Sequence, residues 1–133
     1  MRFRGFNFLL AQETKSIVKH GTAAATSPAS GKEMFLSYSA SCHGKDAKGN
    51  GPAAAALKQA PADLTGLARQ HRGMYPSDLV TSVLRGQTQL MAHGDQDMPV
   101  WGPVFWKMSQ GHEELLQTRI ANLNKYLESL QEK

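Results

Sequence analysis

The sequence predicts an all-α fold. No stretch alternates polar and apolar residues as a half-buried strand would, apolar residues recur at helical spacing in several segments, and serine and glycine stand where those segments begin and end. At 133 residues the chain amounts to one domain, and its 12 glycines and 6 prolines place a good part of that domain in loops.

The first residues stand apart from the rest. Residues 1–20 carry Arg2, Arg4, Lys15 and Lys19 against Glu13, whereas the remainder carries 11 basic against 10 acidic residues. The overall charge of +4 and the pI near 9.4 are therefore mostly a property of the N-terminal segment. The body offers no basic stripe to follow a phosphate backbone, which argues against nucleic acid as a partner. The apolar run from Phe6 to Ala11 is shorter than a signal-peptide core and no small-residue cleavage site follows it. A clipped leader, a misplaced start and an expression scar all fit that opening. No run approaches the length of a membrane-spanning helix. Residues 21–29, GTAAATSPA, have the composition of a linker, so the chain divides into a tail over 1–29 and a body over 30–133.

The body begins at a helix-start signal. Ser30 and Glu33 form a capping-box pair, and Met34, Phe35, Tyr38 and Cys42 follow at helical spacing, predicting a helix from about Gly31 to Ser41 that ends near Gly44. GKDAKGNGP over residues 44–52 is a turn-rich loop, followed by a short helical turn over Ala53 to Leu57. Ser77 is the expected cap of a helix running through Arg85, with Gly86 as its stop. Residues 86–109 show little helical pattern. They include Gly94, Pro99, Gly102 and Pro103, together with His93, Met98, Trp101, Phe105 and Trp106, the composition of a wall around something. The last helix is the clearest: Leu116, Ile120, Leu123, Leu127 and Leu130 form one apolar stripe, with Glu113 and Glu114 in the first turn where negative charge suits the helix dipole. Three or four short helices make a thin core for about a hundred residues, a size at which a bound cofactor often adds the missing centre.

Cys42 is the single cysteine of the chain, which excludes an internal disulfide and any all-cysteine metal site. It is followed by His43. In the haem-attachment motif C-x-x-C-H, two thiols add to the vinyl groups of haem and the histidine ligates iron. Here the window reads Ser39-Ala40-Ser41-Cys42-His43, with serine at the first thiol position. Taken alone, the dipeptide carries almost no weight and is better described as a buried thiol beside a helix-end histidine.

The wider segment Tyr38 to Pro52, YSASCHGKDAKGNGP, resembles the haem-binding segment of class I c-type cytochromes, most of all the small bacterial monohaem type. The resemblance runs on through Ala62-Asp63-Leu64-Thr65, the helix after Tyr75-Pro76, Met98-Pro99-Val100-Trp101-Gly102, and a closing helix with Arg119, Leu123, Tyr126 and Leu127, covering about Ser30 to Gln131. It implies a cytochrome c-like fold, short helices around one haem with the first and last helices crossing where Gly31 and Phe35 meet Leu123 and Tyr126. It implies His43 and Met98 as the axial iron ligands and Cys42 as the thioether anchor. By the same match, the Pro52 carbonyl would accept a hydrogen bond from the His43 ring, and Trp101 would pack at the haem edge near the propionates. His93, five residues before Met98, would be a replacement ligand if that segment shifted. His71 and His112 read as surface or capping residues, and His20 lies in the tail.

A serine cannot form a thioether, so haem c would be held by one covalent link through Cys42. A natural single-cysteine variant, an engineered Cys→Ser change and a drifted domain that no longer binds haem all fit Ser39; the intact ligand set speaks against the last. The function so implied is monohaem electron transfer without enzymatic turnover. Its partners would be redox donors and acceptors met transiently by a monomer, in the periplasm, where such cytochromes mature. Two other classes stay open: a haem protein whose methionine ligand is displaceable, giving gas sensing or weak peroxidase activity, and a haem-free helical interaction module.

Overall fold

A computed structural model of the chain describes residues 24–87 and 101–133. Among these residues every regular element is helical, and the all-α expectation holds. No helix among them is long and apolar enough to cross a membrane.

The first helical rod is built in three pieces. Ser30 caps it as expected, its Oγ accepting the Glu33 amide at 3.1 Å. The rod runs as α1 (Gly31–Met34), a π-helical turn (Phe35–Ser39) and α2 (Ala40–His43), and stops at Gly44 with φ of +82°. The π turn inserts the wider spacing that Met34 and Phe35, both fully buried, share with half-exposed Ser39 and Cys42 one to two turns on.

The turn-rich loop closes the end of this rod. A helix leaves its last carbonyls without intrahelical donors, and here the loop returns to supply them. The amides of Ala53, Gly51 and Gly49 donate to the carbonyls of Ser41, Cys42 and His43 at 2.8, 3.0 and 2.7 Å. The Leu64 amide then donates to Ala47 at 2.7 Å, which ties the far side of the loop to the near one. The alanine-rich stretch is a 3-10 turn over Ala54–Ala56. Another, Leu64–Gly66, is capped by Asp63 and leads into α3 (Leu67–Gln70).

Helix α4 (Ser77–Arg85) ends as foreseen at Gly86, whose φ of +75° lets its amide and that of Gln87 turn back to Val83 and Ser82. Its start differs from the expectation. Pro76 occupies the cap position and Ser77 is the first helical residue, with no side-chain cap.

A second correction concerns the segment read as irregular. Trp101–Met108 forms α5. Trp101, Phe105 and Met108 recur at helical spacing, and Gly102 and Pro103 fall in the first turn, where a proline removes no hydrogen bond. Gly102 is also where the Arg85 backbone passes, since a Cβ there would lie 2.8 Å from the Arg85 carbonyl oxygen.

Helix α6 (Glu113–Ser129) buries Leu116, Ile120, Leu123 and Leu127, with Leu130 half-buried just past its end. These side chains meet Met34, Phe35, Tyr38, Leu84 and Phe105 in one core. α1 crosses α6 at Gly31, where an added Cβ would overlap the Asn122 carbonyl oxygen and come within 2.9 Å of Tyr126 Cβ; the Phe35 and Tyr126 rings pack 5.4 Å apart beside it. α1 and α6 therefore pack closely at Gly31, Phe35 and Tyr126.

The linker-like composition also misleads for residues 24–29, which strap onto the body. Thr26 is buried, and its hydroxyl and carbonyl accept Arg119 Nη1 and Nη2 at 3.1 and 2.8 Å. Asn122 donates to the Pro28 carbonyl at 2.8 Å, and Tyr38 Oη donates to the Ala24 carbonyl at 2.5 Å. Small residues permitted the close approach that small size had suggested was looseness.

Candidate functional site

His43 occupies the last turn of α2 and is 7% exposed. Its Nδ1 lies 2.9 Å from the Ala62 carbonyl oxygen. A carbonyl only accepts, so in the neutral ring Nδ1 carries the proton and Nε2 presents its lone pair. Nε2 has no hydrogen-bond partner among the described residues. The imidazole is thus fixed from behind and available in front, the arrangement a metal-ligating histidine uses.

The carbonyl that fixes it is a correction. Pro52 was expected to supply it, but Pro52 is exposed, and its neighbours Gly51 and Ala53 spend their amides on the helix-end carbonyls of Cys42 and Ser41. The chain instead reaches the ring ten residues later. Asp63 stiffens that approach: its carboxylate accepts the Thr65 hydroxyl at 2.6 Å and the Thr65 amide at 2.9 Å. Those two hydrogen bonds hold the Asp63 carboxyl below the usual carboxylate range.

Cys42 is a free, half-buried thiol next to this histidine, with the Ser41 hydroxyl 3.9 Å from Sγ. Ser39 stands three residues earlier on the same rod and is likewise half-buried. Positions three apart lie near one another on a helix, which brings Ser39 and Cys42 toward one face of the rod. Ser39 makes no side-chain capping bond.

Trp101, one of the predicted site residues, packs with its ring 5.2 Å from Tyr38 and 5.7 Å from Phe105, centroid to centroid. Tyr38 lies one turn before Cys42, so Trp101 joins the rod that carries Cys42 and His43 through that ring. Met98, the expected distal ligand, and His93, its expected substitute, lie outside the described residues, as does His20 in the tail. His71 turns its Nδ1 to the Leu67 carbonyl at 2.8 Å and serves the end of α3, in line with a capping role, and His112 precedes α6 on the surface. Among the described residues no three His, Cys, Asp or Glu side chains converge, so Cys42 and His43 stand as a pair.

One structural residue of the site left no trace in any motif. Gln131 accepts the Ala68 amide at 2.9 Å and donates to the Leu64 and Leu127 carbonyls at 2.7 and 3.0 Å, stapling the end of the chain to the turn that follows Ala62. Beside it, Glu132 pairs with Lys48 at 3.0 Å across the loop, which raises the Lys48 pKa. In comparisons with protein families, curated proteins and solved structures, the chain matches none.

Proposed function

We propose that the chain is a small electron carrier holding one haem c, attached by a single thioether at Cys42 and ligated on one side by His43. The observation that carries this reading is the His43 ring, buried at a helix end with Nδ1 committed to the Ala62 carbonyl and Nε2 without a partner among the described residues, directly after the half-buried thiol of Cys42. The donor set fits the group: a soft sulfur for covalent attachment, an imidazole oriented through Nδ1 for the iron, and the first thiol position filled by a serine three residues earlier. The crossing of α1 and α6 at Gly31, with Phe35 against Tyr126, accords with a cytochrome c-like arrangement of the helices. By the resemblance, Met98 would be the second axial ligand, closing the iron to other ligands and raising its potential relative to a single-histidine site. The bound haem would supply a one-electron couple between ferric and ferrous iron.

The chain's own residues then have distinct tasks. Cys42 tethers, His43 ligates, and Ala62 fixes the plane and tautomer of the ring. The returning amides of residues 49, 51 and 53 hold the end of the attachment helix rigid, so that oxidation and reduction need little rearrangement. Tyr38, on the same rod as Cys42, and Trp101, packed on it from α5, add aromatic cover. Such a carrier meets redox proteins through small, transient interfaces and acts as a monomer, in the periplasm where this class is matured.

Expression together with a c-type maturation system, followed by intact mass and a pyridine haemochrome spectrum, tests the proposal. The expected result is a mass increased by one haem, an α band between the two-thioether and no-thioether positions, and haem that resists acid–acetone extraction. Complete extraction removes the Cys42 link, and a product without Soret absorbance removes the function.

A further inference from the structure

Arg119 is a buried cation that the function above does not use. It lies on α6, 5% exposed, and its only partners among the described residues are the hydroxyl and carbonyl of Thr26, with Nε unpaired. The ion pairs among the described residues join Lys48 and Arg69 to Glu132 and Arg85 to Glu113, and none reaches Arg119. Taking a guanidinium out of water without an opposing carboxylate costs several kcal/mol, and an interior arginine of this kind is normally paired. Its charge is permanent, and no carboxylate among the described residues pairs with it.

The guanidinium also has a connection to the haem-attachment helix. Nη1 donates to Thr26 Oγ1 at 3.1 Å, Thr26 Oγ1 lies 2.7 Å from Tyr38 Oη, and Tyr38 Oη in turn donates to the Ala24 carbonyl at 2.5 Å, with Met108 Sδ 3.2 Å away. With one proton on each hydroxyl, the chain has one consistent direction, from arginine to threonine to tyrosine to carbonyl. Tyr38 stands five residues before His43, or about 7.5 Å along the helix axis. Arg119, Tyr38 and His43 are each buried, and a buried charge is screened far less than one at the surface.

We propose that Arg119 sets the reduction potential of the centre at His43, its buried positive charge favouring the reduced form. Reduction adds one electron to that centre, so a nearby buried cation stabilises the product of the step over its reactant. Arg119 acts through its field, without touching the centre, and Thr26 and Tyr38 hold it in place. This inference rests on the haem reading of Cys42 and His43.

Spectroelectrochemical titration of the haem-loaded protein tests it, with melting of each variant followed in parallel by far-UV circular dichroism. Arg119→Met, which removes the charge and keeps much of the volume, is expected to shift the midpoint potential downward; Arg119→Lys is expected to retain most of the wild-type value. Thr26→Val loosens the strap while leaving the charge, and is expected to lower the melting temperature with the potential near wild type. Should Arg119→Met fail to fold, Thr26→Asp replaces it, placing a carboxylate against the guanidinium; the expected result is again a lower potential. An unshifted potential in the charge-removing or charge-pairing variant overturns the inference, and so does an equal shift in Thr26→Val, which would make the strap rather than the charge responsible. In both cases haem attachment still stands. A wild-type protein that takes up no haem is a different failure, and both proposals fall with it.

Discussion

Replacing Gly31 by alanine sets two known effects against each other. Inside a helix, alanine is favoured over glycine by about 1 kcal/mol, so on local grounds the change stabilises. The structure reverses the sign. A Cβ at position 31 would overlap the Asn122 carbonyl oxygen, lie 2.7 Å from the carbonyl carbon of the same residue and 2.9 Å from Tyr126 Cβ. Two of those three atoms are backbone of α6 and cannot rotate away, so α1 must lift from α6 along the crossing that buries Met34, Phe35, Leu123 and Leu127. Overpacking of a core costs about 1–3 kcal/mol, and a backbone obstacle belongs at the upper end. Net of the propensity gain, the loss is about 2 kcal/mol. For a body of this size that is a fall in melting temperature of about 8–16 °C. Urea denaturation followed by far-UV circular dichroism measures it, with Gly66→Ala as the control, because the nearest atom to a Cβ there is the flexible end of Gln70 at 4.0 Å. A Gly31→Ala protein as stable as wild type would refute the crossing geometry.

Two further predictions concern the turn behind His43. Gln131→Ala removes one acceptor and one donor that hold Ala68, Leu64 and Leu127; at about 0.5–1.5 kcal/mol per hydrogen bond, the urea midpoint is expected to fall with the slope unchanged, and an unchanged midpoint would show the staple to be idle. Asp63 is held below the usual carboxylate range, first by the Thr65 hydroxyl and then by the Thr65 amide. A carboxyl with a depressed native pKa stabilises the fold above its unfolded value of about 3.9 and ceases to do so as pH falls through the lower native value. Asp63→Asn is therefore expected to flatten part of the acid-side loss of stability, and parallel pH curves for the two proteins would contradict it.

What the sequence disclosed and what it hid divide along physical lines. Local signals were readable because they act over a few residues: the Ser30 cap, the turn at Gly44, the αL stop at Gly86 and the leucine stripe of α6 all stand where spacing put them. Helix α5 was hidden by Gly102 and Pro103, which break a helix interior yet are harmless in a first turn. The Thr26 strap was hidden because its partner lies 93 residues away, and a small polar residue looks the same whether it is solvated or buried against an arginine. The Ala62 carbonyl was hidden more deeply still. A backbone oxygen has no residue type, so nothing in the letters separates position 62 from position 52, and only the path of the loop decides which one meets the ring.

That path also decides what Ser39 can change. The His43 ring is oriented by Ala62, the carbonyls around it are satisfied by amides from residues 49, 51 and 53, and the loop that carries Ala62 is held by Asp63, Thr65 and Gln131. None of these contacts involves residue 39, whose side chain makes no capping bond. On the haem reading, placement of the axial histidine and covalent capture of the macrocycle would therefore be separate tasks. A serine at the first thiol position would remove one covalent bond and leave intact the backbone cage that aims the imidazole. On the haem reading, that separation is why a single sulfur can suffice: Cys42 has only to tether the group, because the direction of the ligand beside it is already set by hydrogen bonds from the opposite side of the loop.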